Sequence, residues 1–155
     1  MNAEYYTEIY LRDIQKLHDE IQAYPTDELL WVVKEGISNS GGNLCLHLVG
    51  NLQHFIGATI AHNGYMRNRD KEFSDKGLTK HELMVMLHDT QAMLQSVLPK
   101  LTKADLDKEF PFDFFGKRTT NWYLNQFLMH FHYHLGQINY HRRIVANGQA
   151  LASLS

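Results

Sequence analysis

The sequence predicts an all-α fold, a four-helix bundle, on three observations. Four segments of about 20 to 27 residues carry apolar residues at helical spacing, turn and cap signals separate them, and no stretch alternates with the period of a strand. The chain of 155 residues is 44% hydrophobic and 21% charged, which suits one globular domain rather than two or a disordered polymer. Residues 1–148 are expected to form that domain and 149–155 a frayed tail.

The first helix is read from Ala3 to Tyr24, because Tyr10, Ile14, Leu17, Ile21 and Tyr24 fall four, three, four and three apart and stripe one face. Pro25-Thr26-Asp27 stops it, Glu28 to Val33 suits one short turn, and the Gly/Ser/Asn-rich run from Gly36 to Gly42 reads as loop. The second helix, about Asn43 to Tyr65, is apolar nearly all round and so should be central. Gly50, Gly57 and Gly64 recur every seven residues along it, and since a helical Gly costs about 1 kcal/mol relative to Ala, the stripe implies a close helix neighbour.

After a charged connection from Met66 to Gly77, Thr79-Lys80-His81-Glu82 is a capping box opening a third helix. Its expected stripe is Leu83, Met86, Thr90, Leu94, Val97 and Leu101, with Pro99 kinking or ending it. Thr102 to Lys117, with PFDFF at its centre, is a connection too aromatic for a plain solvated linker. Thr119 or Thr120 then caps a fourth helix with Leu124, Phe127, Leu128, Phe131, Leu135 and Ile138 inward, and Asn147-Gly148 as its stop.

Charge narrows the function. With 15 Lys+Arg against 17 Asp+Glu the net charge is −2, and the lone basic cluster, His141-Arg142-Arg143, is too small to track a phosphate backbone, so nucleic acid is not expected as principal partner. Asn43 to His62 has nearly the length of a membrane span but carries Asn43, His47, Asn51, Gln53, His54 and His62, which argues for a buried soluble helix and against a membrane role. A single cysteine, Cys45, and an N-terminus unlike a secretory signal suggest a reducing, cytoplasmic location. Cys45 lies among leucines without a basic neighbour, so a reactive thiolate is not expected. The chain lacks G-x-S-x-G, a Walker-type loop, G-x-G-x-x-G and H-E-x-x-H.

Ten histidines against one cysteine is the compositional anomaly. His130 and His134 are four apart, so on a helix they lie about 40° from one another and about one turn, roughly 6 Å, along the axis, presenting two nitrogens to one place. They sit on or next to the apolar face, whereas His132 falls on the opposite side, at the surface or an interface. His47, between Leu44, Leu48 and Asn51, is placed to supply a third ligand from a facing helix. Three neutral imidazoles leave a divalent metal with an open position for water or substrate, as in catalytic sites. His54, seven residues after His47, and His141, seven after His134, are candidates to line the same channel or transfer protons. Zinc is the default occupant, with nickel, iron(II) and manganese as alternatives.

The runs GNLCLHLVGNLQHFI (Gly42 to Ile56), RNRDKEF (Arg67 to Phe73) and HFHYHLGQI (His130 to Ile138), in that order and separation, resemble the DinB-like superfamily of small metal-binding four-helix proteins. The resemblance covers most of the chain. It implies His47, His130 and His134 as ligands of a divalent metal, with Gly136-Gln137 matching the family's G-Q after the pair, and it implies a homodimer and a substrate cleft open to the metal. His54 and His132 are additional imidazoles beside the motifs.

Some branches of the superfamily are thiol transferases using low-molecular-weight thiols, which implies a metal-dependent enzyme with such a thiol as cosubstrate, or a hydrolase of a small substrate. The alternative is a non-catalytic metal-binding or stress-response module with a closed coordination sphere, in which His54 would be the fourth ligand. Arg67 and Arg69 are candidates to hold the carboxylate of a thiol cosubstrate by bidentate hydrogen bonds; the plainer reading is a solvated pair bridging to Asp70 or Glu72.

Overall fold

The computed structural model describes residues 1–152, with side chains described through 146. The described residues form six α-helices and no strand: α1 (Ala3–Gln22), α2 (Gly41–Leu52), α3 (Arg69–Ser74), α4 (Lys80–Val97), α5 (Lys103–Asp107) and α6 (Thr120–Ala152). Four are the expected bundle helices. Each of the other two, α3 and α5, is a short helix inside a stretch read from the sequence as plain connection. Among the described residues no helix is long and apolar enough to cross a membrane.

α1 keeps its expected stripe: Tyr10, Ile14, Leu17, Ile21 and Tyr24 are all buried, as is Tyr6. It begins at Asn2, whose side chain accepts from the Tyr5 amide, and ends at Gln22, three residues before Pro25. Tyr6 and Tyr10 donate their hydroxyls to the carbonyls of Asn121 and Leu124, so α1 is tied to α6 by polar as well as apolar contacts. Glu28–Trp31 forms one 3₁₀ turn, and the Trp31 indole donates to the Leu78 carbonyl.

α2 starts two residues earlier than expected, at Gly41, because Ser40 caps it and the glycines there are packing sites rather than loop: a Cβ on Gly41 would strike the Tyr24 hydroxyl, and one on Gly42 the Trp31 ring. All twelve of its residues are buried, as befits the central helix. It does not run to Tyr65. From Gln53 to Ala58 the backbone widens into a π-helix, and the chain leaves the helix by Thr59 and a left-handed His62. The glycine stripe therefore has three separate explanations. Gly50 makes room for the Glu72 side chain, Gly57 faces the side chains of Asn63 and Gln53, and Gly64 lies beyond the helix at φ +80°.

The Thr79 capping box forms as expected, with Glu82 accepting from the Thr79 amide. The face that α4 buries is rotated slightly from the expected one, with Leu87 and Leu98 taking the places given to Met86, Val97 and Leu101, which are half-buried. The α-helix stops at Val97 and Leu98–Lys100 makes a 3₁₀ turn containing Pro99. α5 carries its own capping box, Thr102 with Asp105.

Thr119 accepts from the Trp122 amide and so caps α6. α6 continues through Asn147-Gly148 to Ala152 rather than stopping there, so the tail expected from Gln149 is helical as far as Ala152, and residues 153–155 lie outside the described ones. α1 packs along α4 and α6, while α2 lies against α6, α4 and α3. Beside the main core, Phe55, Phe110, Tyr123 and Phe127 form a second, aromatic one, with Phe55 and Phe127 stacked at a 4.5 Å centroid separation.

Candidate metal centre

Two facing helices build the site. His130 and His134 stand one turn apart on α6, and His47 reaches them from the middle of α2, the segment whose all-round burial holds it deepest in the fold. The three Nε2 atoms converge: His130 Nε2 is 3.1 Å from His47 Nε2 and 3.1 Å from His134 Nε2, and one nitrogen of each ring lies within 4.8 Å of the others. Nitrogens bound to one tetrahedral zinc at 2.0–2.1 Å stand about 3.3–3.4 Å apart, so the two 3.1 Å separations are close to those of a tetrahedral shell to which the three rings would give three of four ligands.

The protons fit a cation at its centre. The Nδ1 of His47 lies 2.8 Å from the Glu72 carboxylate and that of His134 2.7 Å from Gln137 Oε1, both acceptors, so each Nδ1 carries the hydrogen and each Nε2 a lone pair. Neutral His130 has one N–H. Placed on Nε2 it can meet only one of the two lone pairs opposite; placed on Nδ1 it leaves three lone pairs facing one another, an arrangement that a divalent cation resolves. Either way the buried His130 Nδ1 has no hydrogen-bond partner among the described residues. Burial, then the neighbouring His134 and His47, hold the His130 pKa down at about 4, so the ring is neutral and able to ligate near pH 7. Burial lowers His134 as well.

Behind His47 stands a carboxylate that sequence reasoning missed. Glu72 is 6% exposed and receives the His47 Nδ1–H on one oxygen, while Arg67 binds both oxygens, at 2.6 and 2.8 Å. Burial alone would raise the Glu72 carboxyl, but the hydrogen bonds from His47 and Arg67 outweigh it and leave the pKa below its usual range. α3 exists to place this residue. Asn68 caps its start, and the Asn43 amide on α2 donates to the carbonyls of Glu72 and Asp75 at its end, satisfying two groups that so short a helix leaves open. Arg67, Glu72 and the RNRDKEF run were in view; what the sequence did not show was that Gly50 opens the space for this carboxylate against α2.

The remaining candidates fall elsewhere. Arg67 is half-buried and bridges to Glu72, as the plainer reading had it, and it lies 5.7 Å over the Phe55 ring, so the pair is not a solvated one and its guanidinium is not free to clamp a substrate carboxylate. Arg69 is exposed and stacks over Phe73, whose ring is 5.0 Å from that of His47. His54 is not in the cluster. It lies on the π-helical segment against Phe55 and Phe112, its Nδ1 buried without a partner among the described residues and its pKa lowered by burial and by Arg67. His141 does not line a channel to the cluster either: Nδ1 accepts from the Tyr24 hydroxyl at 2.6 Å and Nε2 donates to the Val32 carbonyl at 2.8 Å, which makes it a buried tie between α6 and the chain around α1. His132 faces away as expected and pairs with the buried Asp13 at 2.6 Å. Cys45 is fully buried, and burial pushes its thiol up to about 12.

Comparison with known proteins adds the fold and the family. A crystal structure described as that of a conserved protein of locus from Enterococcus faecalis superposes with a TM-score of 0.75 over 95% of this chain and 99% of that one, at 16% identity, a likeness of fold alone. No curated protein matches the chain. The family described as "Protein of unknown function (DUF1572)" matches residues 3–155, and the chain belongs to that family.

Proposed function

We propose that His47, His130 and His134 hold a divalent metal, zinc first among the candidates, and that the protein is a DinB-like, metal-dependent enzyme acting on a small thiol or on water. One observation carries the reading: three Nε2 atoms converge while hydrogen bonds from two of the rings' Nδ1 atoms to Glu72 and Gln137 fix the lone pairs inward. Bound there, the cation supplies the Lewis acidity that lowers the pKa of a small thiol or of water to near neutrality. The chain's own part is to hold the tautomers, keep the rings neutral and set negative charge behind His47 through Glu72.

Three imidazoles leave a tetrahedral ion one open position, which favours a catalytic site over the alternative, a closed metal-binding module. That alternative needs a fourth protein ligand, and His54 is not among the clustered residues. We further propose a homodimer through α6, whose exposed Met129, Tyr133, Tyr140 and Ile144 fall within about 60° on one face.

Elemental analysis of protein purified without a metal-affinity resin, comparing wild type with His47→Ala and His134→Ala, tests the metal; transfer of small thiols to an electrophile by the loaded protein tests the reaction. Stoichiometric metal lost in both variants with the helical signal kept supports the site. Metal absent from wild type, with added zinc and nickel failing to bind, refutes it.

A further inference from the structure

A cavity of about 840 Å³ lies away from the histidines, at the other end of the α2–α6 pair, where the π-helical segment leaves α2, α4 ends and α6 begins. Thr120, in its wall, is ten residues and so about 15 Å along α6 from His130. Its apolar lining comes from Ile60, Met93, Val97, Leu101, Phe110 and Pro111. The volume is that of a small-molecule site.

The rim is preformed. The amides of Ala61 and Asn63 donate back to Ile56 and Gly57, closing the turn after the π-helix, and His62 is held there at φ +53°, a left-handed conformation that a non-glycine residue adopts at a steric cost. On the far side, the amide and hydroxyl of Thr120 both donate to the Lys108 carbonyl and fix that backbone. The charges at the mouth are unequally committed. Asp105 spends its carboxylate on the Thr102 amide and hydroxyl, and Glu109 faces Lys117 at 3.5 Å, whereas neither Lys100 nor Lys108 forms an ion pair within 4.0 Å among the described residues, although Lys108 is near enough to Asp105 to help lower its carboxyl.

We propose that this cavity is a second ligand site, separate from the metal centre, for an amphipathic organic carboxylate: an apolar body against Val97, Leu101 and Phe110, and the anionic head between Lys100 and Lys108. A neutral or cationic ligand of the same body gains nothing from the lysines, and an inorganic anion leaves the apolar wall wet.

The test titrates the full-length, isotope-labelled protein with decanoate and with 2-naphthoate up to about 1 mM, following backbone amide shifts. Saturable shifts at Ile60, Val97 and Leu101 are expected with at least one carboxylate, and which of the two binds tells an aliphatic from an aromatic body. Decanol binds more weakly, Lys100→Gln with Lys108→Gln weakens the carboxylate roughly tenfold, about threefold for each exposed charge, and Ser96→Trp, which fills the cavity from an exposed position, abolishes binding. Metal content is unchanged in these variants. The proposal is overturned if neither carboxylate gives saturable shifts at those amides, if decanol binds as tightly as decanoate, or if Ser96→Trp binds like the wild type.

Discussion

Replacing Glu72 by Gln isolates what the carboxylate behind His47 contributes. The change keeps the size of the side chain in the space that Gly50 leaves, so the packing of α3 on α2 is preserved while the negative charge is removed. The 2.8 Å bond from His47 Nδ1 to the carboxylate becomes a neutral one, and one of Arg67's two short bonds meets an amide nitrogen that can only donate. A charge-assisted hydrogen bond contributes about 1.5–3 kcal/mol and a neutral one about 1, so His47 loses roughly 0.5–2 kcal/mol of the interaction that makes its Nε2 a strong donor. Partners of this kind change metal affinity by about 10 to 100-fold. The assay is a zinc competition titration against a chromophoric chelator at pH 7, with a circular dichroism melt of the metal-free protein to show that the bundle persists. A zinc affinity within about twofold of wild type, in a folded variant, would refute the coupling of Glu72 to the site, because a tenfold loss is the smallest effect expected of such a partner.

Gly50→Ala acts on the same contact from the other side: its new Cβ displaces the Glu72 carboxylate, so zinc affinity falls with the three ligands intact, as the same titration reads. His141→Leu separates a structural histidine from the ligands. It strands the Val32 carbonyl and leaves the Tyr24 hydroxyl only the Ile138 carbonyl at 3.4 Å, lowering stability by about 1–3 kcal/mol in urea unfolding, yet leaves metal stoichiometry at the wild-type value, where His134→Ala does the reverse. Acid destabilises the metal-free protein. The unfolded chain's histidines take protons near their ordinary value of 6.5, while burial lowers His54, His130, His134 and His141 in the fold, His130 to about 4. Between those limits the unfolded state binds more protons, so the urea midpoint falls as pH drops from 6.5 toward 4; a midpoint flat across that window counts against buried neutral imidazoles. Tyr140→Glu, on the exposed face of α6, converts a dimer to monomer in sedimentation if that face joins two copies, and changes nothing if it does not.

Local signals carried most of the fold into view. Stripes of four and three residues, the Thr79 box and Pro25 located α1, α4 and the body of α6, because each is decided within one or two turns of chain. The departures arose where a distant residue decided the outcome. Gly41 and Gly42 read as loop because a glycine pair favours it locally, yet Tyr24 and Trp31 press against their backbone and only glycine fits. The end of α2 went unread for a related reason: the apolar pattern continues to Ile60, while the backbone widens after Leu52 so that Phe55 meets Phe110, Phe112 and Phe127. Asn147-Gly148, a stop signal by composition, did not end α6.

The site divides along the same line. His130 and His134 share a place because helical geometry alone puts positions four apart on one face, and His47 could be added because only one face of so buried a helix points at α6. The same rule applied to His54 and His141, each seven residues from a ligand, brought neither to the cluster. Seven residues advance a helix by about 10.5 Å, roughly twice the 4.8 Å that spans the clustered nitrogens, so sharing a face does not mean sharing a site. What periodicity cannot supply is the partner that sets an imidazole's proton. Glu72 comes from a six-residue helix with no stripe of its own, fixed by Asn43 from a helix 29 residues earlier and admitted by the missing side chain of Gly50. An acidic residue in a charged connection reads as solvated until the cavity that receives it is known. His47, by contrast, had to find such an acceptor once buried, since an imidazole N–H without one costs about 1–3 kcal/mol. Searching the connections for a carboxylate opposite a helix glycine is therefore the step from sequence that would have located Glu72.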